Sequence, residues 1–176
     1  LEEELEFKRE LSIMYFKSFD NSDGFFPISE NYHQQGILNK TIAPIIIDNN
    51  VEIDLRLKTK ELSLNLNFYG ILAIELFELL DGSILFNEIA PRPHNSFHWT
   101  MDGCDNSQFD ILIRTICGLP VKDVKCSGKW EMTNIIGEEI NNIGDIINNQ
   151  DYMLHLYNKQ QTKPGRKMGH YNTKII

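Results

Sequence analysis

The segment that most constrains the fold is residues 69–90, which read YGILAIELFELLDGSILFNEIA. Two apolar runs, each long enough for a full β-strand, flank the dipeptide Asp81-Gly82. Asp-Gly between two such runs favours a β-hairpin with a two-residue turn. The segment therefore predicts two adjacent antiparallel strands.

The register of this hairpin places two acids side by side. With a two-residue turn, Leu80 pairs with Ser83, and counting outward brings Glu75 opposite Glu88. Side chains alternate between the two faces along a strand. The two acids are therefore expected on the face that also carries Phe77, Leu79, Ile84 and Phe86.

Two carboxylates that face each other at the end of an apolar face repel, so such a pair usually shares a proton or binds a cation. Oxygen ligands suit Mg²⁺ or Mn²⁺, and a bound Mg²⁺ commonly takes substrate phosphates as further ligands. The hairpin therefore indicates a metal site at Glu75 and Glu88. A one-residue shift in register, or solvent at the strand ends, would separate the two acids instead.

The loop after the second strand reads NEIAPRPHNSFHWT and covers residues 87–100. Its two prolines restrict the backbone around Arg92, so the loop is expected to be stiff. A stiff loop beside a cation site can present Arg92 and His94 to an anion with little ordering cost. The alternative is a structural turn whose arginine and histidine are solvated.

The remaining segments predict an α+β fold, because some have strand-like alternation and others have apolar residues at helical spacing. Strands are expected at 10–19, 25–33, 41–48, 130–137 and 151–157. Helices are expected at 50–67, with a capping-box-like start at Asn49 and Glu52, at 107–120, with Ser107 and Gly118 at its ends, and near 137–148. The polar stretch 121–129 looks like a boundary.

Charge and composition exclude some classes of protein. The formal net charge of −8 argues against a nucleic-acid binder, because phosphate backbones are held by an excess of Lys and Arg. The longest apolar runs are too short to span a bilayer, and no secretion leader opens the chain. Cys104, Cys117 and Cys126 are odd in number and lack metal-binding spacing, so reduced thiols in a cytoplasmic protein are expected.

Residues 70–100 and 107–120 closely resemble the 5-(carboxyamino)imidazole ribonucleotide synthase family, the purine-biosynthesis branch of the ATP-grasp superfamily. The similarity extends to LEEELEFKRELSI at 1–13, ENYHQQGIL at 30–38 and YNKQQTKPGRKMGH at 157–170. The resemblance implies the large ATP-grasp subdomain, an antiparallel sheet with helices, over residues 1–120. A small β-rich C-terminal domain would follow at 121–176.

The family's reaction joins bicarbonate to 5-aminoimidazole ribonucleotide with hydrolysis of ATP, through carboxyphosphate. The resemblance therefore implies ATP and Mg²⁺, or Mn²⁺, as cofactors, and a homodimeric parent protein. It also implies a set of nucleotide-binding residues. These are Glu2, Glu3, Glu4 and Leu5 at the adenine, Glu10 at the ribose hydroxyls, and His33, Asn87 and Glu88 near the nucleotide.

The resemblance assigns the other ligands to two further groups. Glu75 and Glu88 would hold Mg²⁺ against the ATP phosphates, in agreement with the hairpin register. Bicarbonate or carboxyphosphate would contact Arg92, His94 and Asn95, whose donors would stabilise developing negative charge. The ribonucleotide and its phosphate would contact Lys159, Arg166 and Lys167, although without the resemblance these three indicate only a solvated basic tail.

The chain departs from the family pattern in two ways. The family usually has glycine where Phe97 stands, and a side chain there would alter the loop or fill space. The chain also has no glycine-rich phosphate loop and no initiator Met, so it is expected to be the carboxy-terminal part of a longer enzyme and inactive alone. Two alternatives stay open: a related ligase that forms another acyl phosphate, against which Asn95 argues, and a non-catalytic assembly module.

Overall fold

The computed structural model describes residues 5–175, so the assignments to Glu2, Glu3 and Glu4 lie outside the described residues. The predicted α+β class is confirmed, with a large antiparallel sheet and few helices. The strands are β1 (Phe7–Lys17), β2 (Asp23–Phe25), β3 (Ser29–Gln34), β4 (Ile37–Ala43), β5 (Gly70–Leu79), β6 (Ile84–Ala90), β7 (Trp130–Ile136), β8 (Tyr152–Leu156) and β9 (Lys167–Lys174).

The helices are short apart from the first. They are α1 (Asn49–Asn65), α2 (Thr100–Gly103), α3 (Gln108–Ile116) and α4 (Gly144–Asn148), with 3₁₀ turns at Asn95–Phe97 and Gly137–Asn142. The predicted capping of α3 is confirmed, because Ser107 and Asp110 form a capping box. The predicted start of α1 is wrong by one residue, since Asp48 accepts hydrogen bonds from the Asn50 and Val51 amides.

Proline decides where two predicted strands stop. The run predicted as a strand at 41–48 ends at Ala43, because Pro44 has no N–H to donate to a neighbouring strand. The run predicted at 25–33 is divided between β2 and β3, with Pro27 between them. β9 was not predicted at all, because its mixed polar sequence, KMGHYNTK, shows little alternation.

All strands join one antiparallel sheet in the order β6-β5-β1-β3-β4-β7-β9-β8, with β2 paired to β1. The pairing of β4 with β7 joins the strands before and after the polar stretch 121–129 into one sheet. The N-terminal and C-terminal strands of the described residues therefore share one sheet, and residues near position 160 can contribute to a site on β5.

The β5–β6 hairpin differs from its predicted form at two points. Its turn has three residues rather than two: the Leu79 amide donates to Ser83 O (2.8 Å), and Gly82 has a φ of 84°. The pairing Leu76↔Phe86 then shifts by one residue to Glu75↔Glu88, which leaves Asn87 in a β-bulge. The longer turn and the bulge compensate, so the predicted pairing of the two acids is confirmed.

The predicted face of the hairpin is partly wrong. Because of the longer turn, Ile84 and Phe86 lie on the opposite face from the acids, where they line a groove against α1 together with Leu76. A core of apolar side chains fills that side of the sheet: Leu11, Ile13, Ile28, Leu55, Leu72, Ile74 and Leu76.

The face that carries the acids packs against α3 and the loop that precedes it. Met14, Phe16, Ala73 and Ile111 form the centre of this second core. Phe97 is also fully buried in it. The loop after β6 is thus anchored on the same face of the sheet as Glu75.

The prediction of reduced cysteines is wrong for two of the three. Cys104 and Cys126 form a disulfide, and their Cα atoms lie 4.2 Å apart. Hydrogen bonds between the flanking backbones bring them together, including Ser127 N to Gly103 O (3.0 Å). Spacing along the chain could not show this contact, because it depends on the path of residues 104–126. Cys117 is free and exposed.

Among the described residues, no helix has the length and apolarity needed to cross a bilayer.

Candidate functional site

The two paired acids occupy different environments. The Glu75 side chain is 13% exposed, whereas that of Glu88, on the edge strand β6, is 54% exposed. Burial raises the pKa of Glu75 to about 7, with further contributions from Glu88 and Glu10. The two carboxylates repel each other, and a cation between them would relieve that repulsion. Their oxygen atoms therefore fit the predicted Mg²⁺ or Mn²⁺.

His94 faces the acid pair from the loop. Its Nε2 lies 3.6 Å from Glu75 Oε1 and 3.7 Å from Glu88 Oε1, while its Nδ1 lies 2.8 Å from Ser96 Oγ. Burial lowers the pKa of His94 to about 4, and Arg92 and Lys167 lower it further in the same direction. The imidazole is therefore neutral near pH 7 and can offer a nitrogen lone pair.

Gln108, the first residue of α3, holds the backbone of His94 from both sides. Its Oε1 accepts from the His94 amide (2.8 Å), and its Nε2 donates to the His94 carbonyl (2.9 Å) and lies 2.7 Å from His98 Nδ1. Gln108 is completely buried. The sequence analysis missed this residue, because a glutamine after a helix cap carries no signal of a contact fourteen positions away.

A cavity of about 540 Å³ joins this centre to the C-terminal part of the chain. Eight of its lining residues come from β3, the turn after it, β4, β5, β6 and the loop after β6. The other three come from 159–167. The lining consists of His33, Gly36, Ile37, Leu38, Glu75, Glu88, Arg92, His94, Lys159, Gly165 and Lys167.

The cavity places cations opposite the acids. Burial lowers the pKa of Lys167, which lies close enough to Glu75 for the two to interact. Lys159 Nζ donates to the Lys167 carbonyl at 2.6 Å. The cavity therefore has an acidic wall on β5 and β6 and a basic wall on β9 and the segment before it, as a magnesium-bound phosphate compound would need.

Glu10 and His33 form a pair beside the cavity. His33 Nδ1 lies 2.7 Å from Glu10 Oε2, and both side chains are about four-fifths buried. Glu10 lies on β1 two positions from Ser12, which pairs with Glu75. These two predicted residues are therefore brought to the site.

Other predicted residues are not among those that line the cavity. Leu5 is 43% exposed, Asn87 is exposed in the bulge, and Arg166 donates to Gln161 O (2.8 Å) without lining the cavity. Asn95 follows His94. The Nδ2 and Oδ1 atoms of its side-chain amide are both buried without a hydrogen-bond partner within residues 5–175. An amide in that state can accept a polar ligand.

Phe97 fills space rather than distorting the loop. Its ring lies 6.1 Å from that of Phe26, and its amide closes the turn to His94 O at 3.0 Å. The position has no positive φ, so glycine is not required there. The loop therefore keeps His94 in place with phenylalanine at position 97.

Two family models match the chain. The ATP-grasp domain matches residues 1–109, and the phosphoribosylaminoimidazole carboxylase C-terminal domain matches residues 131–174. Curated relatives include the N5-carboxyaminoimidazole ribonucleotide synthase of Bacillus subtilis, which is 38% identical over 97% of this chain and 45% of the relative. A bifunctional purine synthesis protein of Dictyostelium discoideum is 36% identical over 97% of this chain and 19% of its own length.

Solved structures give the same picture. The Staphylococcus aureus N5-carboxyaminoimidazole synthetase complexed with ADP has a TM-score of 0.90 at 33% identity, over 98% of this chain and 47% of that one. The Aspergillus clavatus N5-carboxyaminoimidazole synthase, in complex with ADP and 5-aminoimidazole ribonucleotide, has a TM-score of 0.85 at 31% identity, over 98% and 48%. The chain thus spans less than half the length of these relatives.

Proposed function

The chain belongs to the ATP-grasp family, and on that basis we propose that it forms part of an ATP-dependent ligase that carboxylates 5-aminoimidazole ribonucleotide in purine biosynthesis. The observation that carries the proposal is the cavity, in which Glu75 and Glu88 face Lys159 and Lys167. Relatives whose structures contain ADP, with or without 5-aminoimidazole ribonucleotide, support nucleotide and ribonucleotide as ligands.

Glu75 and Glu88 would hold Mg²⁺, which would neutralise phosphate charge when bound. Glu10 and His33 lie next to these acids and would contact the ribose and the nucleotide. We propose nucleotide contacts for Leu5 and Asn87 also, on the resemblance alone, since both are exposed and neither lines the cavity.

Arg92, His94 and Asn95 would bind bicarbonate and the carboxyphosphate derived from it. Arg92 and His94 line the cavity, and the unpartnered amide of Asn95 supplies a donor and an acceptor. Donors fixed by a stiff loop stabilise developing negative charge without reorganisation. The ribonucleotide phosphate would lie against Lys159 and Lys167, with Arg166 at the rim.

The test uses the intact protein that contains this chain. We expect ATP hydrolysis that depends on both bicarbonate and 5-aminoimidazole ribonucleotide, and a strong loss of that activity in Glu88→Gln. The variant Lys58→Gln, on the exposed side of α1, serves as a control, because it also removes one charge. Equal activity in wild type and Glu88→Gln would contradict the proposal.

The chain alone is expected to be inactive, because it spans under half the length of its relatives. We predict no ATP-dependent carboxylation by residues 1–176, measured as incorporation of ¹⁴C-bicarbonate. Readily measured carboxylation by the purified chain would show that a complete active centre lies within it.

The alternative ligase, which would form an acyl phosphate from formate or another carboxylate, is tested by replacing bicarbonate in the same assay. A non-catalytic assembly module would bind neither Mg²⁺ nor ATP in calorimetry of the intact protein. We propose a homodimeric parent on the resemblance, and a domain boundary at 120/121 on the resemblance and the polar stretch 121–129. A cytoplasmic location is proposed from the expected reduced cysteines, of which Cys117 is free and Cys104 and Cys126 are paired.

A further inference from the structure

The acid pair has a third potential ligand of a different chemical kind. Glu75, Glu88 and His94 each offer one ligand atom, and these three atoms lie within 4.8 Å of one another. His94 is 8% exposed, and within the described part of the chain its Nε2 has no hydrogen-bond partner. The nitrogen lies near both carboxylates but is too far from them for a hydrogen bond.

The surroundings of His94 match those of a metal-bound histidine. A metal-bound imidazole usually donates its other N–H to a neighbouring acceptor, which fixes the ring and its tautomer. Ser96 Oγ lies 2.8 Å from Nδ1 and is fully buried, so it can accept that hydrogen bond. Gln108 holds the backbone of the same residue. In the tautomer with its proton on Nδ1, the lone pair is on Nε2, which lies 3.6 and 3.7 Å from the carboxylate oxygens.

The two separations between His94 Nε2 and the carboxylate oxygens suit a small, low-coordinate ion. Ligands about 2.0–2.1 Å from a tetrahedral Zn²⁺ lie about 3.4 Å from one another. The two nitrogen–oxygen separations of 3.6 and 3.7 Å need to shorten only slightly. The half-exposed Glu88 side chain is free to make this adjustment. Imidazole nitrogen suits Zn²⁺, whereas Mg²⁺ prefers six oxygens.

We propose that Glu75, Glu88 and His94 together form a Zn²⁺ site that competes with Mg²⁺ for the two acids. In this site His94 is a ligand and is not available to an anion. Zn²⁺ would therefore inhibit any reaction that needs Mg²⁺ at Glu75 and Glu88. The Zn²⁺ site shares its two acids with the proposed function and in that respect rests on it. Zn²⁺ binding is measured on this chain without ATP, so the failure of one proposal can be distinguished from the failure of the other.

The experiment is calorimetric titration of the metal-free chain with Zn²⁺ and, separately, with Mg²⁺. We expect one Zn²⁺ per chain at the acid pair, bound more tightly than Mg²⁺ by a factor on the order of ten or more. Glu75→Gln should abolish this binding. His94→Gln should weaken Zn²⁺ by roughly ten- to a hundredfold while leaving Mg²⁺ affinity unchanged.

A histidine variant away from the acid pair serves as the control. His155→Gln changes the separate histidine cluster of His98, His155 and His170. It should keep the Zn²⁺ affinity of the acid site. A fall in His155→Gln equal to that in His94→Gln would place the ion in the other cluster and overturn the proposal.

Absorption of bound Co²⁺ provides a second readout that does not depend on affinity. Co²⁺ in a low-coordinate site with a nitrogen ligand has intense visible bands, which should weaken or shift in His94→Gln. If that variant fails to fold, Ser96→Ala retains the imidazole but loses the acceptor for Nδ1–H, and should weaken Zn²⁺ binding. An unchanged Co²⁺ spectrum or Zn²⁺ affinity in the folded variant would refute His94 as a ligand.

Discussion

At Glu75 the fold buries an acid whose ionised form is unfavourable. Its pKa rises from 4.5 to about 7, chiefly through burial, so between these values the folded state binds more protons than the unfolded state. Stability is therefore lost as the pH rises through this window. The difference in pKa corresponds to about 3 kcal/mol at most.

We predict that Glu75→Gln stabilises the chain at pH 8 by up to about 3 kcal/mol and has little effect near pH 4. The free energy of unfolding in urea, measured at several pH values without metal, gives the result. Glu61→Gln, an exposed position on α1, is the matched control and should show no such pH dependence. A Glu75→Gln profile parallel to that of wild type would show that burial does not affect this acid.

Gln108 is the second residue with a specific consequence. Replacing it with methionine leaves the His94 amide buried without a partner, at a cost of about 1–3 kcal/mol, while the His94 carbonyl keeps its hydrogen bond from the Phe97 amide. We predict that Gln108→Met loses about 1–3 kcal/mol and shifts the imidazole NMR signals of His94.

Ser107→Ala is the control for that change. It removes the cap of the same helix at a cost of about 1 kcal/mol but leaves the contact between Gln108 and His94 intact. Its His94 signals should stay where they are. If both variants moved those signals equally, the role of Gln108 would be to stabilise α3 rather than to position His94.

At the scale of elements, the β5–β6 turn depends on a residue without a side chain. Gly82 has a φ of 84°, and a Cβ there would contact nothing within 4 Å, so only backbone strain opposes a substitution. We predict that Gly82→Ala destabilises by about 1 kcal/mol. Thermal unfolding of Gly82→Ala and of wild type would measure this.

Gly144, in α4, gives the opposite expectation. It also has open space around it but lacks a positive φ. Gly144→Ala should therefore stabilise by about 0.4–1 kcal/mol, because it reduces the freedom of the unfolded chain. If both substitutions changed stability in the same direction, φ would not be the deciding factor.

At the scale of the whole molecule, the sheet links both parts of the chain. β7 pairs with β4, and Trp130 and Met132 pack with Leu38, Ala43 and Trp99. We predict that residues 1–120 alone do not form a stable monomer, because β4 would become an exposed edge beside uncovered apolar side chains. Size-exclusion chromatography and circular dichroism test this. A cooperative, monomeric 1–120 would instead establish an independent domain.

The C-terminal part also supports the loop of the site. Asp102, in α2, accepts from Asn172 Nδ2 (2.6 Å) and lies 2.8 Å from His155 Nε2. Asn172 also donates to His98 O at 3.2 Å. The loop that carries His94 is therefore held by α3 on one side and by β8 and β9 on the other.

Much of the local structure followed from the sequence alone. The apolar runs around Asp81-Gly82 predicted the hairpin, and the cap at Ser107 predicted the start of α3, since each depends on contacts between residues close in the chain. The pairing of Glu75 with Glu88 was also correct, although its derivation missed a longer turn and a compensating bulge. Neither irregularity leaves a pattern that alternation of side chains can reveal.

Only the tertiary structure decided the contacts between distant segments. It placed Lys167 across a cavity from Glu75, attached Gln108 to His94 and paired Cys104 with Cys126. It also showed that Phe97 fills the core. Sequence periodicity records which face of an element is apolar, but these contacts depend on how the faces of separate elements pack, and no single segment contains that information.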